Sequence, residues 1–108
     1  MVDAQAVVSL TDAATITPNF NNGINFTVTL GGNRTLANPT NLKQGWSGII
    51  EVKQDATGAR TLTYGSGWKF SGGTPTLSTA AGATDIIAYF VRDASTPIIE
   101  ASLMKAFA

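Results

Sequence analysis

The chain of 108 residues contains no cysteine and no histidine. The first absence excludes disulfides and thiolate chemistry, and it leaves the redox compartment open. Together the two absences remove the softer metal ligands. Only carboxylates and carbonyls remain, a donor set suited to calcium or magnesium. A serine or threonine nucleophile would also lack its usual base. Charge is scarce as well, at 13% Asp, Glu, Lys and Arg against ~25% in an ordinary globular protein. Seven basic and seven acidic residues cancel, so no field steers the chain to nucleic acid or to an anionic membrane. No apolar stretch is long enough to span a bilayer, and Met1-Val2-Asp3-Ala4 lacks the basic region of a signal peptide.

What is present is a 44% hydrophobic chain of one-domain length. A chain of this size buries roughly 65% of the surface its unfolded form exposes, which leaves a thin core. An exterior of Thr, Ser, Asn, Gln, Gly and Ala suits permanent protein contacts, and Thr also suits strands facing water.

Apolar and polar residues alternate with a period of two along most of the chain, the signature of half-buried strands. Ile24, Phe26, Val28 and Leu30 fall on one face, with Asn25, Thr27 and Thr29 on the other. In Gly45–Tyr64, Ile50 and Val52 alternate with Glu51 and Lys53, and Leu62 and Tyr64 with Thr61 and Thr63. The polar break at Asp55–Gly58 predicts a hairpin. There Asp55 accepts from turn amides and Gly58 takes a left-handed angle. Ala6–Leu10 and Thr15–Thr17 read as short strands, Gly65–Gly73 as a glycine-punctuated loop, and Ala80–Thr84 as at most one helical turn. Ile86–Val91 reads as a strand covered on both sides. Pro97–Ala106 reads as the last strand, with Ile99, Ala101 and Leu103 inward. The expected fold is all-β: a compact β-sandwich or flattened barrel of seven to eight short antiparallel strands. Residues 1–17 form an N-terminal arm and first strands, and residues 18–108 the sandwich.

The seven acids are scattered singly, with no D-x-D-x-D loop, so no metal and no cofactor are expected. Glu51 and Glu100 are the only glutamates. They would make a glycosidase pair only if they shared a groove at roughly 5–9.5 Å, and solvent-facing strand positions explain them better. Gly31-Gly32, Gly65-x-Gly67 and Gly72-Gly73 lack the helix and lysine of a phosphate loop. Trp46, Tyr64, Trp68 and Phe70 fall near one end of the central hairpin. They serve either as packed aromatics or as a carbohydrate-binding face.

Several runs then carry a resemblance. They are Asn25–Leu30 with Gly32-Asn33-Arg34-Thr35-Leu36, Gly48–Val52, Gln54-Asp55-Ala56-Thr57-Gly58-Ala59-Arg60-Thr61-Leu62, Trp68-Lys69-Phe70 and Gly73–Asp85. From about Val8 to Leu103 the chain resembles a small β-domain of tailed-phage virion surface proteins, the type found in tail fibres, spikes and capsid decoration. The resemblance implies a virion structural protein, a homo-oligomer and specifically a trimer, with no enzymatic activity. Because Met1 opens the chain and no shaft sequence flanks it, the expectation is a stand-alone capsid decoration or cement protein, made in the bacterial cytoplasm and bound to the major capsid protein or other virion proteins. Val7, Val8 and Leu10 are the expected capsid-facing residues. Ile86, Ala88, Phe90, Ile98 and Met104 are the expected subunit contacts. The alternative is a tail-fibre or head-spike domain that binds a host glycan through Trp46, Trp68 or Phe70. A small polysaccharide-active enzyme is the third reading.

Overall fold

A computed structural model of the chain describes residues 7–107. Among these residues there are nine strands and no helix: β1 (Val7–Ser9), β2 (Thr15–Ile16), β3 (Asn25–Leu30), β4 (Arg34–Leu36), β5 (Ser47–Gln54), β6 (Leu62–Tyr64), β7 (Trp68–Phe70), β8 (Thr84–Asp93) and β9 (Ile98–Phe107). They form a six-stranded sheet in the order β1-β3-β5-β8-β9-β7 and a three-stranded sheet in the order β2-β4-β6.

The fold is therefore all-β in two sheets, but it is not purely antiparallel. β1, β3 and β5 pair parallel with one another, and so do β2, β4 and β6. The first two-thirds of the chain is a coil of three turns, each laying one strand in each sheet. Equivalent residues stack from turn to turn. Val8, Phe26 and Ile50 share one inward row, and Ile16, Leu36 and Tyr64 share another. Only β8 and β9 add in antiparallel fashion, β8 on β5 and β9 on β8, and β7 joins β9 parallel.

The expected central hairpin is thus corrected. β5 and β6 lie in different sheets, and Asp55–Thr61 is a corner between them. Period-two alternation cannot separate the two cases, because it records which face is buried and not which strand lies alongside. Thr15-Ile16 pairs parallel with β4 in the small sheet. Trp68–Phe70, expected in a loop, is a strand. Ala80–Thr84 makes a turn and enters β8.

The corners hold the coil together. Asp12 of the first turn accepts from Gly31 N at 3.0 Å and makes a two-point pair with Arg34 at 2.8 and 3.0 Å. Asn33 of the second turn accepts from Thr61 N of the third at 3.0 Å. At the opposite corner Asn38 accepts from Gly67 N at 2.8 Å, and Asn41 donates to Asn19 at 2.8 Å. In this way a backbone amide that leaves one sheet, with no strand partner of its own, is satisfied by the turn before it.

The core lies between the sheets. Phe20 is buried at its centre, with ring centroids 5.9 Å from Phe26, 6.3 Å from Trp46 and 5.5 Å from Tyr89. The Tyr89 hydroxyl donates to the Ile24 carbonyl, and burial raises its pKa. Gly48 lets this pair approach, since a Cβ there would collide with the same carbonyl oxygen. Two polar side chains are buried and fully used. Gln54 donates to the Arg60 and Ser78 carbonyls and accepts from Arg60 N, all at 2.9 Å. Asp85 accepts from Ser78 N at 2.7 Å and from Ala106 N at 2.8 Å.

At the Asp55 corner, Thr57 N and Gly58 N donate to one carboxylate oxygen, and Arg60 pairs with the other at 2.9 Å. These donors hold the Asp55 pKa down at about 2. Gly58 has φ of 74°, and a Cβ there would lie 2.7 Å from the Thr79 carbonyl oxygen and 2.8 Å from Ala81 N. Gly58→Ala should therefore destabilise the fold by about 2 kcal/mol or more, strain and backbone clash together. The urea midpoint should fall with the slope unchanged. A midpoint equal to the parent's would refute this role for the corner.

Candidate functional site

Two surfaces stand out: an aromatic-walled cleft at one end of the sandwich, and the outer face of the six-stranded sheet. The cleft, about 470 Å³, opens where β6 and β7 leave the two sheets unclosed, and it is lined by Thr63, Tyr64, Ser66, Trp68, Phe70 and Thr74 among others. The volume lies within the range of small-molecule sites. Tyr64 and Phe70 meet with centroids 4.5 Å apart, and Trp68 stacks behind Phe70 at 6.3 Å. Trp68 itself is a core residue: it is 6% exposed, and its indole N–H donates to the Ala37 carbonyl at 3.0 Å. The Tyr64 hydroxyl is buried and has no hydrogen-bond partner among the described residues, and this burial pushes its pKa up to about 12; the cleft therefore uses the ring of Tyr64 and not its hydroxyl.

β6 is an edge strand, and its free side runs along the cleft. Arg34 N donates to the Thr61 carbonyl, and Gly65 N donates to the Leu36 carbonyl. By the alternation of a parallel ladder, the amides and carbonyls of Leu62 and Tyr64 then point away from β4. Aromatic faces, hydroxyls and open backbone groups line one concavity. Trp46 does not belong to it; it stacks on Phe20 in another part of the core.

The outer face of the six-stranded sheet carries the opposite pattern. Register places Ile49 beside Ala88, Glu51 beside Ile86, and Ile86 beside Met104. Phe90 is 44% and Met104 41% exposed, while Ile86, Ala88 and Ile98 are half-buried. Ion pairs flank this apolar centre: Lys53–Glu51 at 3.7 Å and Arg92–Glu100 at 3.2 Å. Of the expected arm residues, Val7 is 59% exposed, whereas Val8 and Leu10 turn inward against the core. Ala6 and the residues before it lie outside the described residues.

No arrangement for catalysis is found among the described residues. Glu51 and Glu100 share the outer face but stand two strands and four residues apart by register, about 16 Å by strand spacing and too far for a glycosidase pair. No group of three or more His, Cys, Asp or Glu could hold a metal among the described residues. Among the described residues no helix is long and apolar enough to cross a membrane.

Sequence reading missed Gln54, Asp85 and the corner asparagines. The parity of Ile50, Val52 and Gln54 does place that glutamine inward. The corner asparagines carry no comparable mark, since Asn in a turn usually bonds its own backbone.

No curated protein and no solved structure matches the chain. A family model does, that of a "Putative phage tail fibre C-terminal domain", over residues 16–93. That span runs from β2 to the end of β8 and takes in most of both sheets. The chain belongs to this family of phage tail-fibre domains.

Proposed function

We propose that the protein is a host-facing domain of a phage tail fibre that binds surface glycan in the cleft between β6 and β7. Family membership favours this role over the capsid decoration or cement role expected from the sequence. The observation that carries the binding reading is the cleft itself. It sets the Tyr64–Phe70 pair beside hydroxyl side chains and the open edge of β6. A pyranose ring presents an apolar face for aromatic contact and a rim of hydroxyls that both donate and accept, and the cleft offers a counterpart to each.

The outer face of the six-stranded sheet supports a second part of the proposal, assembly of the domain as a homo-oligomer, with a trimer as the expected state. An apolar centre with a polar, ion-paired rim is the composition of a subunit interface, and a thin-cored domain gains stability from such contact. On this reading the chain stands on the virion surface, with other copies of itself as its first partners.

Two outcomes follow. On an array of bacterial surface glycans the protein should bind a defined subset, and Phe70→Ala should weaken that binding at least about tenfold while the chain stays folded by circular dichroism. A parent that binds no glycan would end the reading. In sedimentation at tens of micromolar the parent should run as an oligomer, and the double variant Phe90→Asp, Met104→Asp should run as a folded monomer. Both side chains are exposed on the single chain, so their loss costs the monomer little. A monomeric parent would end the assembly claim.

A further inference from the structure

At one end of the three-turn coil the large-sheet edge is covered, and at the other neither sheet edge has a partner among the described residues. At the β5 end, β8 pairs along the free edge of the large sheet, and the chain around Thr79 reaches the Asp55 corner through Ala59 N. At the β1 end nothing among the described residues plays that part. Leu10 N donates to the Thr27 carbonyl, so Leu10 and Val8 direct their backbone groups to β3, while the Ser9 amide and carbonyl point outward. In the small sheet the Ala14 and Ile16 carbonyls accept from Thr35 N and Ala37 N. The backbone groups of Thr15 are left pointing outward in the same direction. Between these two free edges runs a groove of about 260 Å³, lined by Val8, Leu10, Thr15 and Ile16 among others.

This edge carries none of the usual blocks. β1 is Val-Val-Ser and β2 is Thr-Ile, without charge, proline or bulge, and such an edge recruits another strand. The spacing of the two edges is the spacing at which the second turn already sits on the first. The family match begins at Ile16, and β1 lies upstream of it yet adds to β3 in parallel register. Chain from the N-terminal side of the matched region is therefore what this edge of the sheet accepts.

We propose that the β1–β2 end is the junction with the rest of the fibre: an extended segment of fibre polypeptide lies parallel to β1 and β2 and adds one more turn to the coil. Its chemistry follows from the turns already present. It brings an apolar side chain over Val8 and Leu10, and a carboxylate or carboxamide at its corner to accept from the amides near Asp12, as Asp12 does for Gly31. The proposal rests on fibre membership and is independent of the glycan cleft.

The test is Ser9→Pro. The Ser9 amide has no partner among the described residues, and a proline at an edge position removes only the outward donor and obstructs an incoming strand. The variant chain should melt within a few degrees of the parent. In phage complemented with the variant gene, its incorporation into particles should fall at least about tenfold, the order expected for a lost backbone bond plus a steric block. Val7→Lys, a charged edge that leaves every backbone donor in place, guards against a folding defect and should act in the same direction. Amide exchange on the parent supplies the other arm: Ser9 and Thr15 should exchange freely in the isolated chain and be protected in the particle. Normal incorporation of both variants, or amides still open in the particle, would overturn the proposal. Concentration-dependent protection in the isolated chain would assign the edge to a second copy instead and would equally overturn it.

Discussion

The structure depends on polar side chains at the corners of one turn accepting the amides of the next. A coil of short parallel strands has a recurring difficulty. Each time the chain leaves one sheet for the other, its amides lose their ladder partners while remaining close to the core. Leaving such a donor unmade costs more than a formed hydrogen bond contributes. Asp12, Asn33 and Asn38 each resolve this by reaching one turn forward. Side-chain polarity at three corners thereby sets the register in which Phe26 stacks on Val8 and Ile50 stacks on Phe26. A slip of one residue would turn the inward rows to solvent.

With the register set, the core follows. Inward rows from both sheets close around Phe20, and Gln54 and Asp85 hold the irregular segments near Ser78 and Arg60 against the sheets. β8 and β9 then do two things at once. Their inner residues complete the core, and their outer residues present the apolar face on which oligomer assembly is proposed. The cleft arises because β6 and β7 end different sheets with nothing joining their free edges. The same edge logic explains the junction proposed at β1: at each end of the coil an unpaired strand edge is a place for a partner.

The sequence made most of the strands legible and little of their neighbourhoods. Alternation located β3, β5 and β9 and assigned their buried faces correctly, down to Ile99 and Ala101 inward; the continuous apolar run located β8 but hid its outward row, where Phe90 is exposed on the single chain. Alternation gave the wrong partner for β5, because Gln54–Leu62 has the length and the Asp-x-x-Gly chemistry of a hairpin loop. What distinguishes a sheet corner from such a loop is the position of the next turn, some twenty residues away, and no local pattern carries that distance. The aromatics followed the same rule. Trp68 and Phe70 were recognisable as a pair, but only the parallel addition of β7 to β9 decides that Trp68 enters the core while Phe70 borders a cleft.

The central claim, that the domain is a parallel coil, is tested most directly by cross-linking, which the absence of native cysteine makes clean. Thr35 and Thr63 lie directly opposite in the small sheet, with hydroxyls 2.8 Å apart. In the double variant Thr35→Cys, Thr63→Cys, a coil brings the two sulfurs within bonding reach, and mild oxidation should close an intramolecular disulfide in nearly all of the protein. In a β5–β6 hairpin Thr63 would instead face a residue of β5 such as Glu51. A disulfide that forms readily in Glu51→Cys, Thr63→Cys, and not between positions 35 and 63, would contradict the coil.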